Sequence, residues 1–151
     1  MGYMGLAAGI FLLELIVKNR IEKRKEEGKE ETVCGGALLI RKYHNKGAFL
    51  NAGETKRGWV AFLSGALTAG ILLVFMAASR QKGSRIFRTG LALLLGGACS
   101  NTYDRLKRGY VVDYFSFGVR WKWLRRIVFN VSDFCILAGA LLAACSQEEI
   151  R

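Results

Sequence analysis

From Gly58 to Ala78 the chain runs for 21 residues (GWVAFLSGALTAGILLVFMAA) without one charged side chain. A helix needs about 20 such residues to cross a hydrocarbon core about 30 Å thick, and a helix satisfies its own backbone polar groups on the way. Three further apolar blocks accompany it. Ile127–Ser146 is nearly as long but contains Asn130 and Asp133. Thr89–Tyr103 is shorter, and spans when its flanks, Arg88 and Asp104, sit at the interfaces with the arginine snorkelling. Met1–Val17 is also short and carries Glu14 near its end. The 23 Lys+Arg residues, which give the 151-residue chain a formal charge of +11, lie mainly between these blocks. They fringe hydrophobic spans, so nucleic acid is not an expected partner and membrane lipid is.

The expected fold class is membrane all-α. It is a single integral membrane domain over residues 1–151, with four transmembrane helices at about 2–17, 58–78, 87–104 and 127–146. No Lys or Arg precedes Lys18, so the first block lacks the positive start of a cleaved signal peptide and is read as a helix of the mature protein. Trp59, and Trp121 with Trp123, flank the second and fourth blocks where an aromatic belt belongs. The mixed-charge run Lys18–Glu31 reads as a solvated helical extension or a mobile loop. Cys34–Asn51 alternates weakly between glycines, and Tyr110–Val119 is rich in Val, Tyr and Phe. Strands from these two places are expected to form one small extramembrane sheet, over about residues 33–53 and 109–119.

Charge counting alone orients the chain with its N-terminus out. The loop Arg80–Arg88 carries four Lys/Arg, against eleven in the first loop and seven in Arg105–Arg126.

The informative residues are the acids that do not belong in lipid. All three aspartates, Asp104, Asp113 and Asp133, fall in the last third of the chain. An ionised Asp at the centre of a spanning helix costs roughly 2.5–3.5 kcal/mol, so such groups face a polar interior. Asn101, Asp104 and Arg105 share a helix face, as do Asn130 and Asp133. Asp113 lies in the connection between those helices and can reach the end near Asp133. Two readings follow. The polar groups hold helices together, with Asp104–Arg105 an interfacial ion pair and Asn130 an interhelical hydrogen bonder. Alternatively Asp113 and Asp133 form an acid/base pair, since two carboxylates about 4 Å apart repel by about 4 kcal/mol at an effective dielectric of about 20 and so retain one proton.

The stretches GGACSNTYDRLKRGYVVDYFSF and FNVSDFCILAG closely resemble signal peptidase II, the bacterial lipoprotein signal peptidase family. The resemblance implies four transmembrane helices with a small β-rich cradle on the outer leaflet, and an aspartyl peptidase that needs no metal or other cofactor. Its substrate would be a diacylglyceryl-modified prolipoprotein, cut just before the lipidated cysteine in the bacterial cytoplasmic membrane. Asp113 and Asp133 match the catalytic pair. Asn101, Asp104 and Arg105 match the G-N-x-x-D-R element, and Asn130 matches the Asn before the second Asp. Asn45-Lys46-Gly47-Ala48-Phe49 resembles the cradle's N-x-G-A-A-F, short of one residue, so Asn45 and Gly47 join the candidate site. Glu14-Leu15-Ile16-Val17-Lys18 stands where the family has D-Q-x-[ST]-K, and Ser100 where it has Gly. The family topology, N-terminus in and cradle out, opposes the charge count, and is preferred because the cleavage site is presented on the outer face. A monomer is expected.

The other motifs carry less. His44 is the sole histidine and reads as a surface or headgroup-facing group, with no second ligand at metal spacing. Cys34, Cys99, Cys135 and Cys145 read as small buried apolar residues, and Gly5-x-x-x-Gly9 as a weak packing motif. The rival functions are a silent homologue that binds lipoprotein signal peptides without cutting them, and a membrane scaffold with coincidental acids.

Overall fold

The structure, a computed structural model, describes residues 2–47, 54–80 and 84–146. In chain order the elements are α1 (Tyr3–Arg24), β1 (Glu31–Val33), β2 (Leu38–Asn45), α2 (Arg57–Arg80), α3 (Arg85–Arg108), β3 (Val111–Phe117), α4 (Lys122–Arg126) and α5 (Val131–Cys145). The strands form one antiparallel sheet in the order β1-β2-β3, so the two β-like stretches do meet, with an irregularity between Ile40 and Tyr43. The cradle-like Ala48 and Phe49 lie outside the described residues. Among the described residues, α2 is long and apolar enough to cross a membrane, and α5 is a shorter apolar helix.

Helix α1 continues past residue 17 because Lys18–Arg24 holds good helix formers and places Lys23 and Arg24 at the negative end of the helix dipole. The first part of the charged run is therefore a helical extension, exposed at Asn19, Arg20, Lys23 and Arg24, while Lys18, 1% exposed, turns inward. His44 also differs from the surface reading. Its Nε2 lies 2.6 Å from Glu22 Oε1 and its ring centroid lies 4.0 Å from that of Tyr110 at a 31° tilt, so it ties β2 to the end of α1.

Helix α3 is the hub against which α1, α2 and α5 pack. Glycine permits the close approach: a Cβ at Gly139 of α5 would lie 2.5 Å from the Gly90 oxygen and the Leu94 nitrogen of α3. Helix α1 does not pack through Gly5 or Gly9, whose added Cβ atoms would meet nothing within 4 Å. It uses Ala7 and Ile10 against Gly96 instead. The four cysteines are unpaired; Cys34 and Cys145 are exposed and Cys99 and Cys135 half-buried, so none is the fully buried apolar residue expected.

Two helix ends aim the chain at the site. At Gly109 α3 stops in the left-handed region (φ 79°), which glycine adopts without a Cβ penalty, and the chain turns directly into β3. Before α5, residues 127–130 are extended rather than helical, because Phe129 pairs with Phe115 of β3 (N–H···O 2.7 and 3.0 Å). Asn130 then caps the helix.

Candidate active site

Asn130 organises the centre. Its side-chain oxygen accepts the Asp133 N–H (3.1 Å), and Asp133 Oδ2 accepts the Asn130 N–H (3.0 Å), a reciprocal capping box that starts α5. Its amide nitrogen donates to Asp113 Oδ1 (2.7 Å), so one residue touches both aspartates. Asp113, in β3, also accepts from Asn45 Nδ2 (3.2 Å), and Asp133 accepts from Asn101 Nδ2 (2.9 Å). Asp113 is 2% exposed. Burial first, and the charge of Asp133 next, push its carboxyl up to about 7 despite the Asn130 and Asn45 hydrogen bonds. Near neutral pH this carboxyl holds a proton far more readily than an ordinary aspartate.

A second layer is built around Lys18. Its ammonium donates to Ser100 Oγ and Asn101 Oδ1 (both 2.9 Å) and pairs with Asp104 Oδ2 at 3.1 Å and Glu14 Oε2 at 3.7 Å. By engaging the Asn101 oxygen it leaves the amide nitrogen to face Asp133. Glu14 in turn accepts from Tyr114 OH (2.6 Å) and from Ser132 Oγ and N–H (2.8 and 3.1 Å). Tyr114 OH accepts the Val131 N–H (3.2 Å). The first N–H groups of α5 are thus taken by Tyr114, Glu14 and Asn130, and a carboxylate sits at the positive end of the helix that carries Asp133.

All the candidates with described side chains converge, but not as simple helix geometry suggests. Asp104 does not pair with Arg105. It accepts from Arg108 Nε (2.8 Å), Lys18 and the Val112 N–H (3.2 Å), pinning β3 to α3. The i,i+4 partner won because Arg105 points to the β2 end, where its Nη2 donates to the Gly47 oxygen (3.3 Å). Gly47 N–H donates to Asn45 Oδ1 (3.2 Å), which links that contact to Asp113. Lys18 was matched to the family's motif but given no place in the expected site, and Tyr114 and Ser132 were not foreseen. Glu14 and Lys18 stand at i,i+4 in an apolar block, a spacing that flags the lysine; Tyr114 and Ser132 carry no such signal. Ser100, a departure from the family pattern, supplies one of the lysine's acceptors.

Beside Asp133 a cleft of about 250 Å³ opens between α2, α3 and α5. Asn101, Arg105 and Asp133 line its polar end, Ser64, Thr68 and Thr102 its flank, and Leu67, Ile71, Leu94 and Ile136 the rest. Among the described residues no cluster of three or more His, Cys, Asp or Glu is placed to hold a metal ion. The arrangement offers acid/base chemistry at one end of a partly apolar cleft.

The Signal peptidase (SPase) II family model matches residues 6–147. The chain belongs to the signal peptidase II family. A lipoprotein signal peptidase of Paraburkholderia phytofirmans is 33% identical over 148 residues, covering 96% of this chain and 83% of its own. One of Ralstonia nicotianae is 34% identical over 142 residues, covering 93% and 80%. A bacterial membrane enzyme structure solved by the in meso method at 2.3 Å superposes with a TM-score of 0.81 at 20% identity, over 97% of this chain and 87% of that one. This signal peptidase II therefore shares its fold with a membrane enzyme and is a peptidase by family.

Proposed function

We propose that this signal peptidase II cuts diacylglyceryl-modified prolipoproteins just N-terminal to the lipidated cysteine, with Asp113 and Asp133 as an acid/base pair. The observation that carries this reading is the single Asn130 bridge between the buried Asp113 and the half-buried Asp133, the second of which opens onto a cleft of mixed polar and apolar lining. The two carboxyls share one proton and hold a water against the scissile carbonyl. The ionised one takes a proton from the water, whose oxygen bonds to the carbonyl carbon, while the protonated one donates to the carbonyl oxygen. Collapse breaks the C–N bond as the departing amine takes the proton held by one carboxyl and a hydroxyl of the intermediate returns its proton to the other, which leaves the carboxylic acid product and restores one proton to the pair. Asn101 and Asn130 hold the carboxylates. Arg105, Gly47 and Asn45 brace β2 over them.

Helices α1, α2, α3 and α5 cross the bacterial cytoplasmic membrane, with the sheet and the dyad at the outer face and both termini inside. Supporting this, α2 exposes Trp59, Phe62, Leu63 and Leu67, α1 exposes Leu12, Leu13 and Ile16, and α5 exposes Leu137 and Leu141. Such a continuous apolar surface belongs against lipid.

The test is a gel-shift assay of the purified protein on a diacylglyceryl-modified prolipoprotein. Loss of the signal-peptide mass, abolished by Asp113→Asn and by Asp133→Asn, is the expected result. Cleavage that survives both substitutions overturns the mechanism. Capture without cleavage by the folded wild type points to the silent binding homologue.

A further inference from the structure

The α2–α3 seam has two sides. The dyad cleft lies on the side facing α5. On the other, between α1 and α2, a separate furrow of about 260 Å³ runs over α3, lined by Met4, Ala8, Phe11, Leu72, Leu95 and Cys99. It carries no charged side chain. At Met4 it meets a second hollow of about 390 Å³, which ends in Tyr3, Ser79 and Arg80. Arg88 lies over the Tyr3 ring at 5.2 Å, so a second guanidinium stands at that end. The sequence from Arg80 to Arg88 holds four Lys/Arg and no acid. One end of this groove is cationic and the remainder is aliphatic.

That gradient matches one kind of molecule, a phospholipid with an anionic headgroup. We propose that the α1–α2 furrow is a phospholipid site: an acyl chain lies along Leu72, Leu95 and Cys99, and the phosphate sits at Arg80 beside Tyr3. The charge argues for this occupant over a second copy of the chain. A second copy packed through the first residues of its α1 or through its α2 would bring no anion to Arg80, since the N-terminal segment through Leu13 has no acid and α2 has none; the acids Glu148 and Glu149 follow α5 instead. The end concerned is the one remote from the dyad. It lies in the inner leaflet by the orientation proposed above, where anionic lipids attract juxtamembrane cations. The inference rests on that membrane reading.

The test uses the full chain in nanodiscs with photoreactive acyl-chain phosphatidylglycerol or phosphatidylethanolamine, read by peptide mass spectrometry. Crosslinks should concentrate on Met4, Phe11, Leu72 and Cys99, with phosphatidylglycerol favoured. Arg80→Gln should cut that preference by about fivefold, the effect of one cation near an anionic surface, while leaving acyl crosslinks in place. Ala8→Trp, which fills the furrow from its exposed rim, should abolish both. Prolipoprotein cleavage by these variants, far from Asp113 and Asp133, reports that the chain is folded and inserted. With cleavage intact, crosslinks spread evenly over Trp59, Leu63 and Leu73 would mean bulk lipid only and overturn the proposal. Crosslinks between two copies of the chain would overturn it in favour of a dimer. Loss of cleavage and of membrane retention in the wild type would instead fault the membrane reading, and the lipid site with it.

Discussion

At the residue scale the decisive group is Asp113. Its carboxyl is raised to about 7 from an ordinary 3.8, so the folded protein binds this proton more tightly than the unfolded chain does. The stability this group contributes is complete below pH 3.8 and is lost as pH rises through about 7. A reaction that needs one proton on the pair loses rate over the same alkaline side, and a pH–rate profile should show a falling limb near pH 7. Replacing Asp133 with Asn removes a like charge, so the Asp113 carboxyl followed by infrared difference spectroscopy should titrate at lower pH; an unchanged midpoint would show that the two acids do not interact. Each Asp→Asn variant should lower kcat by about 10²–10⁴-fold, the range of general acid–base catalysis, without unfolding the protein in detergent. Tyr114→Phe leaves the Val131 N–H and one Glu14 oxygen without their partner. A loss of about 1–3 kcal/mol in unfolding free energy is expected, together with a fall in kcat larger than any rise in KM, because the start of α5 carries Asp133. Glu14→Asp should reproduce part of that loss, since a side chain one methylene shorter falls back from Ser132 and Tyr114.

Elements matter here through their ends. The α5 capping box and the left-handed end of α3 place the two aspartates at facing termini, on β3 and on the first turn of α5. Asn130→Ala removes the cap and the Asp113 donor together. It should cost more than the about 1 kcal/mol of a lost N-cap alone, measured by thermal unfolding against Asn130→Ser, which retains a capping oxygen. The seam between α3 and α5 has no room for a side chain. Gly139→Leu should therefore separate the helices and abolish both cleavage and the cooperative melt, whereas Gly5→Leu, with nothing near it, should be tolerated.

At the scale of the whole molecule, the proposed orientation and the charge count predict opposite sides for the sheet. Cys34, on the sheet side, and Cys145, at the far end of α5, are both exposed and stand at opposite ends of the helices. In single-cysteine variants of each, an impermeant maleimide applied to intact spheroplasts should label Cys34, and reach Cys145 only after permeabilisation. The reverse pattern would place the sheet and the dyad in the cytoplasm, as the lysine and arginine count alone implies.

The apolar blocks, the separate β-like stretches and the two Asn-x-x-Asp spacings were legible in the sequence, because periodicity, hydropathy and helix-face geometry are local properties. Asp113 and Asp133 were singled out by the cost of acid near lipid and by family resemblance. Partners were not legible. Asp104 prefers Arg108, Lys18 and a β3 amide to the adjacent Arg105, and Tyr114 and Ser132 meet Glu14 across 100 and 118 residues of chain. Those contacts depend on how closely glycine lets α3 approach its neighbours and on where each helix stops. Spacing along one helix brings side chains to a face; only the packing of three helices and a sheet decides which charge answers which.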